Sequence, residues 1–247
     1  MDKTITASAS VADIVTRYPH IRALFDELSI DYCCGGKHSL EDACQKAGLP
    51  WQSVVERLNR AIEQGGPGRQ SGKDWTAVPL VELVEHIITA HHTYLREHLP
   101  RLQNLARKVY SAHQRRHGET IRKLQQSLEH LRIDIEMHLA KEEQILFPLI
   151  REMEAYAAGR GPEPALHCGS IQNPIRQMEL EHEAAGRILA EMRLAGSGYQ
   201  LPQDACQSFA SLYDGLRALE DDLHEHIHLE NNILFPRAVE LERKIRQ

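Results

Sequence analysis

The sequence predicts an all-α protein in which a small helical domain precedes an antiparallel four-helix bundle. Apolar residues recur at helical spacing along most of the chain, and segments with the alternation of a strand are few. A motif of the form His-x3-Glu-x2-Ile-Leu-Phe-Pro occurs twice, at His138 and at His226, 88 residues apart. Clusters of glycine and proline separate the long helical segments, as expected for helices joined by short connections.

The composition is that of a globular protein. The chain has 247 residues, of which 42% are hydrophobic and 26% are charged. Its net charge of −6 argues against nucleic acid or an anionic membrane surface as a main partner. Because we find neither a signal peptide nor an apolar run of about 18 residues, we expect a cytoplasmic protein. The five cysteines, two of them adjacent, do not form a disulfide framework.

Residues 1–64 are expected to form the small helical domain. The capping box Ser10-x-x-Asp13 begins a helix that extends through Leu28 and that Pro19 divides into two pieces. A second helix follows Ser39-x-x-Asp42 and ends near residue 46, and a third covers residues 51–63. The turn between the first and second helices carries Cys33 and Cys34.

Residues 65–77 are expected to be a linker, since 65–73 are rich in glycine and polar residues. Residues 78–247 are then the bundle. Its predicted helices lie near 79–110, 118–157, 172–196 and 202–245. Pro148 and Pro236, which end the two motifs, are expected to kink their helices just past the histidine and glutamate, because proline frees a carbonyl four residues back.

The repeated motif predicts a metal centre. Residues four apart on a helix point the same way, so each motif places one imidazole and one carboxylate on one face. A single histidine lies at a matched distance before each motif, which indicates a duplicated helical hairpin. The predicted ligands are therefore His92, His138, Glu142, His182, His226 and Glu230.

Four imidazoles and two carboxylates favour iron or manganese over zinc, which prefers a closed set of four ligands that often includes thiolate. Each glutamate has two oxygens and can bridge two ions. A lone His-x3-Glu pair is usually a surface pair, but two copies, each with Ile-Leu-Phe-Pro at the same offset, favour a pair of ions between the helices.

Other polar residues near the motifs are not expected to bind the metal. His86, His91, His224 and His228 are expected to face away from the site, and Glu143 is expected to be solvated. His130 is expected as an outer neighbour of His138. Asp134 and Glu181 either line an access path or, as we favour, are ordinary surface carboxylates.

Cys33 and Cys34 are the candidate catalytic residues. Vicinal cysteines bridge each other poorly, so we expect a redox or thiol-transfer pair whose thiolate is favoured by the neighbouring Lys37. The alternative is a small-residue turn in which the cysteines only pack. The other cysteines match no motif: Cys44, Cys168 and Cys206.

Long motifs of a known family run through the chain. They are Asp31-Tyr-Cys33-Cys34-Gly-Gly-Lys37, Lys73-Asp-Trp75, Lys141-Glu-Glu-Gln-Ile-Leu-Phe-Pro148 and Leu229-Glu-Asn-Asn-Ile-Leu-Phe-Pro236. Over nearly its whole length the chain resembles the iron-sulfur cluster repair di-iron proteins (RIC family), which have a hemerythrin-like bundle. The resemblance implies two non-haem iron ions, bridged by oxide or hydroxide and by carboxylate, on the same six ligands.

The resemblance also implies a function in the stress response. The family is associated with the recovery of iron-sulfur clusters damaged by nitric oxide or oxidants, and iron supply is the mechanism we expect. The alternatives are an enzyme that reduces or detoxifies nitric oxide and a hemerythrin-like protein that binds or senses O₂ or NO. The expected partners are damaged iron-sulfur proteins and NO or O₂, without nucleic acid or membrane, and the sequence is compatible with a homodimer.

Overall fold

A computed structural model describes residues 5–65, 73–165 and 169–247. Over these ranges every regular element is a helix and no strand is present, which confirms the all-α prediction. None of the helices in the described ranges has the length and apolar character needed to cross a membrane. Most of the predicted linker, residues 66–72, and Cys168 lie outside the described residues.

The chain divides into two compact units. The N-terminal unit consists of Met1–Pro79 together with His224–Arg237, and the bundle unit consists of Leu80–Leu223 and Ala238–Gln247. The inclusion of His224–Arg237 in the N-terminal unit was not expected from the sequence. The predicted domain boundaries at 64 and 78 stay predictions.

In the described residues 5–65, the N-terminal unit forms the short helices α1 (Val11–Arg17), α2 (Arg22–Glu27), α3 (Leu40–Lys46) and the longer α4 (Trp51–Gly65). Both predicted caps are present, since the Ser10 and Ser39 side chains accept from the amides three residues later. A 3₁₀ turn that starts at Pro19 separates α1 from α2, as proline was expected to do. Ile227 is buried in the same apolar core as Phe25 and Leu40.

The α-helices that follow are α5 (Leu80–His86), α6 (Thr93–Lys141), α7 (Phe147–Ala157), α8 (Gln172–Ala195), α9 (Gln207–Leu229) and α10 (Phe235–Ile245). Three π-helical segments connect consecutive members of this series: Ile87–His92, Glu142–Leu146 and Glu230–Leu234. A π-helical turn contains one residue more than an α-helical turn and is frequent at functional sites.

The chain reverses direction within α6 although the segment is helical throughout. Gln103 donates to Glu129, 26 positions later, whereas a straight helix would separate such residues by about 39 Å. Arg122 donates to the Tyr110 hydroxyl at 2.7 Å. Both of these pairs are centred on residue 116, where the chain turns back. The predicted interruption at 111–117 is wrong as a break in helical conformation, but it marks the reversal.

A second antiparallel hairpin is formed by α8 with the helices that follow it. Arg193 Nη2 lies 3.0 Å from Glu220 Oε1 near one end, and the Ser170 hydroxyl donates to Glu242 at 2.8 Å near the other. One apolar core joins residues from both hairpins, including Leu128 and Ile121 from the first and Leu189 and Leu216 from the second. Two antiparallel hairpins, each with two helical segments, therefore form the four-helix bundle that the sequence predicted.

Candidate metal centre

Both copies of the motif produce the same local distortion. The amide of Phe147 donates to the carbonyl of Glu142, and the amide of Phe235 donates to the carbonyl of Glu230, in each case five residues back. The next residue in each copy is a proline, which has no amide hydrogen for a bond to the carbonyl four residues back. The disturbance expected at the prolines therefore takes the form of a widened turn that begins at the glutamate.

Four of the six predicted ligands lie in the bundle unit, and we call them the bundle ligand set. They come from three different helical segments of the bundle and are at most 3% exposed: His92, His138, Glu142 and His182. Glu142 Oε2 lies 3.4 Å from His92 Nε2, and Glu142 Oε1 lies 3.3 Å from His138 Nε2. His182 Nε2 is 3.0 Å from His138 Nε2. Each oxygen of the single carboxylate thus faces a different imidazole, as a bridging carboxylate requires.

Carboxylates contact the Nδ1 atoms of two of these imidazoles. Glu143 Oε1 is 2.7 Å from His92 Nδ1, and Glu181 Oε2 is 3.0 Å from His138 Nδ1. Such a contact fixes the hydrogen on Nδ1 and directs the Nε2 lone pair to the opposite side, as is usual for histidines that bind metals. The expectations that Glu143 is solvated and that Glu181 is an ordinary surface carboxylate are therefore wrong.

The supporting carboxylates are held in the ionised form. The hydrogen bond from His138 lowers the pKa of Glu181 to about 2, against the opposing effect of burial and with help from Lys141 and Gln177. For Glu143, burial acts to raise the pKa, but hydrogen bonds from Arg96 and His92 outweigh it and lower the pKa. Both groups remain anionic near neutral pH and keep accepting from the imidazoles.

The bundle ligand set fits a metal ion by its donor chemistry. With hydrogens on Nδ1, the Nε2 lone pairs of His92 and His138 point at the oxygens of Glu142, and lone pairs facing lone pairs repel each other. A cation between them turns this repulsion into attraction. Because the set combines imidazole nitrogen with carboxylate oxygen and contains no sulfur, it suits iron or manganese.

The other two predicted ligands lie in the N-terminal unit, and we call them the second-motif pair. His226 Nε2 is 3.2 Å from Glu230 Oε1, and both side chains are at most 1% exposed. The histidines on either side of His226 face elsewhere, as expected: His224 contacts Asp26 at 2.9 Å, and the ring of His228 packs edge-on against Tyr32.

Three further expectations concern residues of the bundle unit. His91 contacts Asp222 at 2.9 Å, which agrees with the choice of His92 as the ligand. Asp134 is exposed and is an ordinary surface carboxylate, as we favoured. His130 is also exposed, so its expected place as an outer neighbour of His138 is wrong.

Cys33 and Cys34 lie on a tight turn of the N-terminal unit. Their sulfur atoms are 3.9 Å apart, so both thiols are free. Cys33 is buried and Cys34 is half-buried. The hydrogen bond with Cys34, burial and the negative charge of Asp31 raise the pKa of Cys33 well above its ordinary value. The expectation that Lys37 favours the thiolate is therefore wrong for Cys33.

The turn is bound to the residues that follow Glu230. Asn232 Nδ2 donates to the carbonyls of Tyr32 at 3.1 Å and Cys33 at 3.3 Å, and Asn231 Nδ2 lies 3.4 Å from the Cys33 carbonyl. Sequence reasoning missed these two asparagines. The available indication was that the same positions of the first motif carry Glu143 and Gln144.

Family models match both parts of the chain. The hemerythrin HHE cation binding domain matches residues 83–238, a range that contains all six predicted ligands. A domain of unknown function, DUF542, matches residues 7–62, which include both vicinal cysteines.

Similar proteins extend over almost the whole chain. A probable iron-sulfur cluster repair protein of Haemophilus influenzae is 38% identical over 94% of this chain and 97% of its own length. The iron-sulfur cluster repair proteins YtfE of an Enterobacter species and of Escherichia coli are 37% and 35% identical, each over 93% of this chain and 96% of theirs. The chain therefore belongs to the family of iron-sulfur cluster repair proteins with a hemerythrin HHE cation binding domain.

Proposed function

We propose that this protein repairs iron-sulfur clusters damaged by nitric oxide or oxidants and that it does so by supplying iron. The observation that carries the proposal is the buried bundle ligand set, in which two imidazoles, each held by a carboxylate, face separate oxygens of Glu142. The names of the relatives supply the class of client, namely proteins with damaged clusters.

The proposed centre holds two non-haem iron ions. Its ligands are the bundle ligand set and the second-motif pair, six residues in all, and the duplicated hairpin in the sequence is the reason for joining them. Glu142 and Glu230 occupy equivalent positions in the two motifs, so each is assigned as a bridge between the ions. Bound iron would supply a redox-active centre with open positions for oxide, hydroxide, NO or O₂.

The type of ligand supports iron supply. Imidazole and carboxylate hold ferrous iron less firmly than a cage of thiolates does, because iron-sulfur chemistry prefers soft ligands. Iron bound by nitrogen and oxygen can therefore pass to the sulfur ligands of a client. The residues of this chain orient and protect the donor: Glu143 and Glu181 fix two imidazoles, and Phe147 stacks on the His92 ring at 5.7 Å between centroids.

Cys33 and Cys34 are proposed to serve the transfer rather than to bind the resident ions. Their turn is tied by Asn231 and Asn232 to the π-helical segment that begins at Glu230. The double variant Cys33→Ser/Cys34→Ser should therefore keep its iron and lose repair activity. Unchanged repair would leave the cysteines with a packing role. We place this activity in the cytoplasm.

Transfer of iron from loaded protein to a damaged client tests the proposal. A [4Fe–4S] enzyme inactivated with nitric oxide would be mixed anaerobically with iron-loaded protein, with an equal amount of free ferrous iron, or with Glu142→Ala protein. We expect recovery of client activity with the loaded protein beyond that from free iron, and iron-57 from the protein in the client cluster. Recovery equal to that from free iron would contradict iron supply, and catalytic formation of nitrous oxide with a reductant would favour the nitric oxide reductase alternative.

A further inference from the structure

The turn that carries the vicinal cysteines brings three metal-binding side chains together. Asp31, Cys33 and Cys34 each place one ligand atom within 4.8 Å of those of the other two. The two sulfur atoms are 3.9 Å apart, and Cys33 Sγ is 3.4 Å from Asp31 Oδ1. This group lies in the N-terminal unit and shares no residue with the six ligands discussed above.

Two of the three separations are close to those around a tetrahedral ion, and the third, between Cys34 Sγ and Asp31, is within 4.8 Å. With metal–sulfur bonds of about 2.3 Å and metal–oxygen bonds of about 2.1 Å, tetrahedral angles place two sulfurs about 3.8 Å apart and a sulfur and an oxygen about 3.6 Å apart. The observed 3.9 and 3.4 Å differ from these values by amounts that small side-chain rotations absorb. The two sulfur atoms, and Cys33 Sγ with Asp31 Oδ1, therefore already have nearly the spacing that such an ion needs.

The backbone of the turn is fixed from both sides. Asp31 accepts three amide hydrogens, from Cys33 and Cys34 on Oδ1 and from Gly35 on Oδ2, at 2.9–3.0 Å. Asn232 holds the carbonyls of the turn, as described above. Gly36 is required for this close approach, because a Cβ there would lie 2.7 Å from the Tyr32 carbonyl oxygen and 2.9 Å from Asn232 Oδ1.

Charge and access are also suitable. Asp31 is exposed and Cys34 is half-buried, so an ion has a route from solvent, while Cys33 is only 5% exposed and closes the inner side. The thiol of Cys33 donates to Asp31 Oδ1. An incoming cation replaces that hydrogen, so binding releases the two thiol protons to water, and no electron is transferred.

We propose that Asp31, Cys33 and Cys34 form a second metal site, which takes one soft or borderline divalent cation such as ferrous iron, cobalt or zinc. Two thiolates and one carboxylate oxygen bind the ion, and the fourth position is open to water or to a ligand on a client. A part for this site in iron transfer rests on the function proposed above, whereas the binding itself does not.

Cobalt reports directly on thiolate ligands. The full-length protein with iron already in the bundle would be titrated with Co²⁺ anaerobically in a phosphine reductant. We expect a thiolate-to-cobalt charge-transfer band and the intense visible bands of tetrahedral Co²⁺, saturating at one cobalt per chain. Cys33→Ser and Cys34→Ser should each weaken binding about tenfold or more, and Asp31→Asn should weaken it similarly while the sulfur band remains. Cys206→Ser is the matched control and should leave the titration unchanged.

Three results would overturn the site: no charge-transfer band at millimolar Co²⁺, a band that persists in Cys33→Ser/Cys34→Ser, or saturation at one cobalt per two chains. Circular dichroism and bundle iron content show whether each variant is folded, and Cys34→Ser, at a half-buried position, is the variant least disturbed by substitution. Failure here is separable from failure of iron supply. A protein that binds Co²⁺ at this turn but revives no client keeps the site and loses the proposed function.

Discussion

The two copies of the motif are alike at the residues that would hold metal and different in what covers them. Each copy buries its histidine and glutamate and widens the helix into a π turn at the glutamate. In the first copy Ile145 is 55% exposed, whereas the equivalent Ile233 is 5% exposed. The shared positions therefore determine the local geometry of the ligands, and the variable positions determine the surroundings.

The residue after the glutamate shows this division most clearly. In the first copy Glu143 accepts from His92, a proposed ligand, and in the second copy Asn231 is directed to the carbonyl of Cys33. An anion suits the first role because it strengthens the imidazole as a ligand. A neutral amide donor suits the second because the partner is a backbone carbonyl. Equivalent positions of the two motifs therefore make different contacts.

Removal of the motif glutamates should have the largest effect and tests whether the copies are equivalent. We expect Glu142→Ala and Glu230→Ala each to reduce bound iron from the proposed two ions per chain to fewer than one, because each loses a carboxylate that is proposed to bridge the ions. Iron analysis and Mössbauer spectra of the purified proteins measure this. Glu119→Ala, at an exposed glutamate that forms an ion pair with Lys123, is the control. Full iron content in either motif variant would show that the copies are not equivalent.

The exposed and buried isoleucines should differ strongly in their contribution to stability. Ile233→Ala should lower the free energy of unfolding by about 2–5 kcal/mol, as expected for truncation in a core. The matched Ile145→Ala, at the same motif position but exposed, should change it by about 0.5 kcal/mol or less. Urea unfolding followed by circular dichroism gives both values. Equal destabilisation would mean that the first copy is covered in solution, which would remove the contrast between the copies.

The sequence predicted the parts of the site that local periodicity determines. The matched distances in the two halves of the repeat selected His92 over His91, and the caps at Ser10 and Ser39 are local hydrogen bonds that a capping box specifies. All six predicted ligands are buried, and four of them converge within the bundle unit.

The features that were missed depend on contacts between distant positions. Asn232 bonds to a carbonyl 200 residues away, and Glu181 supports His138 from 43 residues away. Neither pairing leaves a periodic pattern. The position of the reversal within α6 was predicted correctly, but its helical conformation was not. No proline or glycine pair lies at the reversal to break the helix.

The carboxylates behind the imidazoles should matter less than the ligands themselves. Glu143→Gln should weaken iron binding about 10- to 100-fold, because a neutral amide supports the His92 imidazole less well than an anion does. Asn231→Ala, at the equivalent position of the second copy, should change affinity less and should instead loosen the turn of Cys33. Competition with a chelator measures the affinity, and the rate of alkylation of Cys34 measures the turn. Equal losses of affinity would mean that residue 231 also supports a ligand.

Exposed and buried cysteines should also differ in how the rate of their alkylation depends on pH. Cys206 is exposed, and its pKa is lowered to about 7, chiefly by the hydrogen bond with His113 at 3.2 Å, whereas the pKa of Cys33 is raised. A lowered pKa means that the thiolate forms as the pH rises through about 7, so alkylation of Cys206 should accelerate with a midpoint there. Cys33 should remain slow over the same range.

The variant His113→Ala removes the main cause of the shift at Cys206 and should move this midpoint upward, toward the ordinary value of about 8.5. Mass spectrometry of each cysteine after timed exposure to iodoacetamide resolves the individual rates, and buried Cys44 serves as an internal reference. A midpoint that stays near 7 in the variant would assign the shift to the backbone amides of Ser208 and Phe209 instead. Rapid alkylation of Cys33 at pH 7 would mean that its turn opens in solution. The contacts of this turn with Asn231 and Asn232 of the second motif would then be transient.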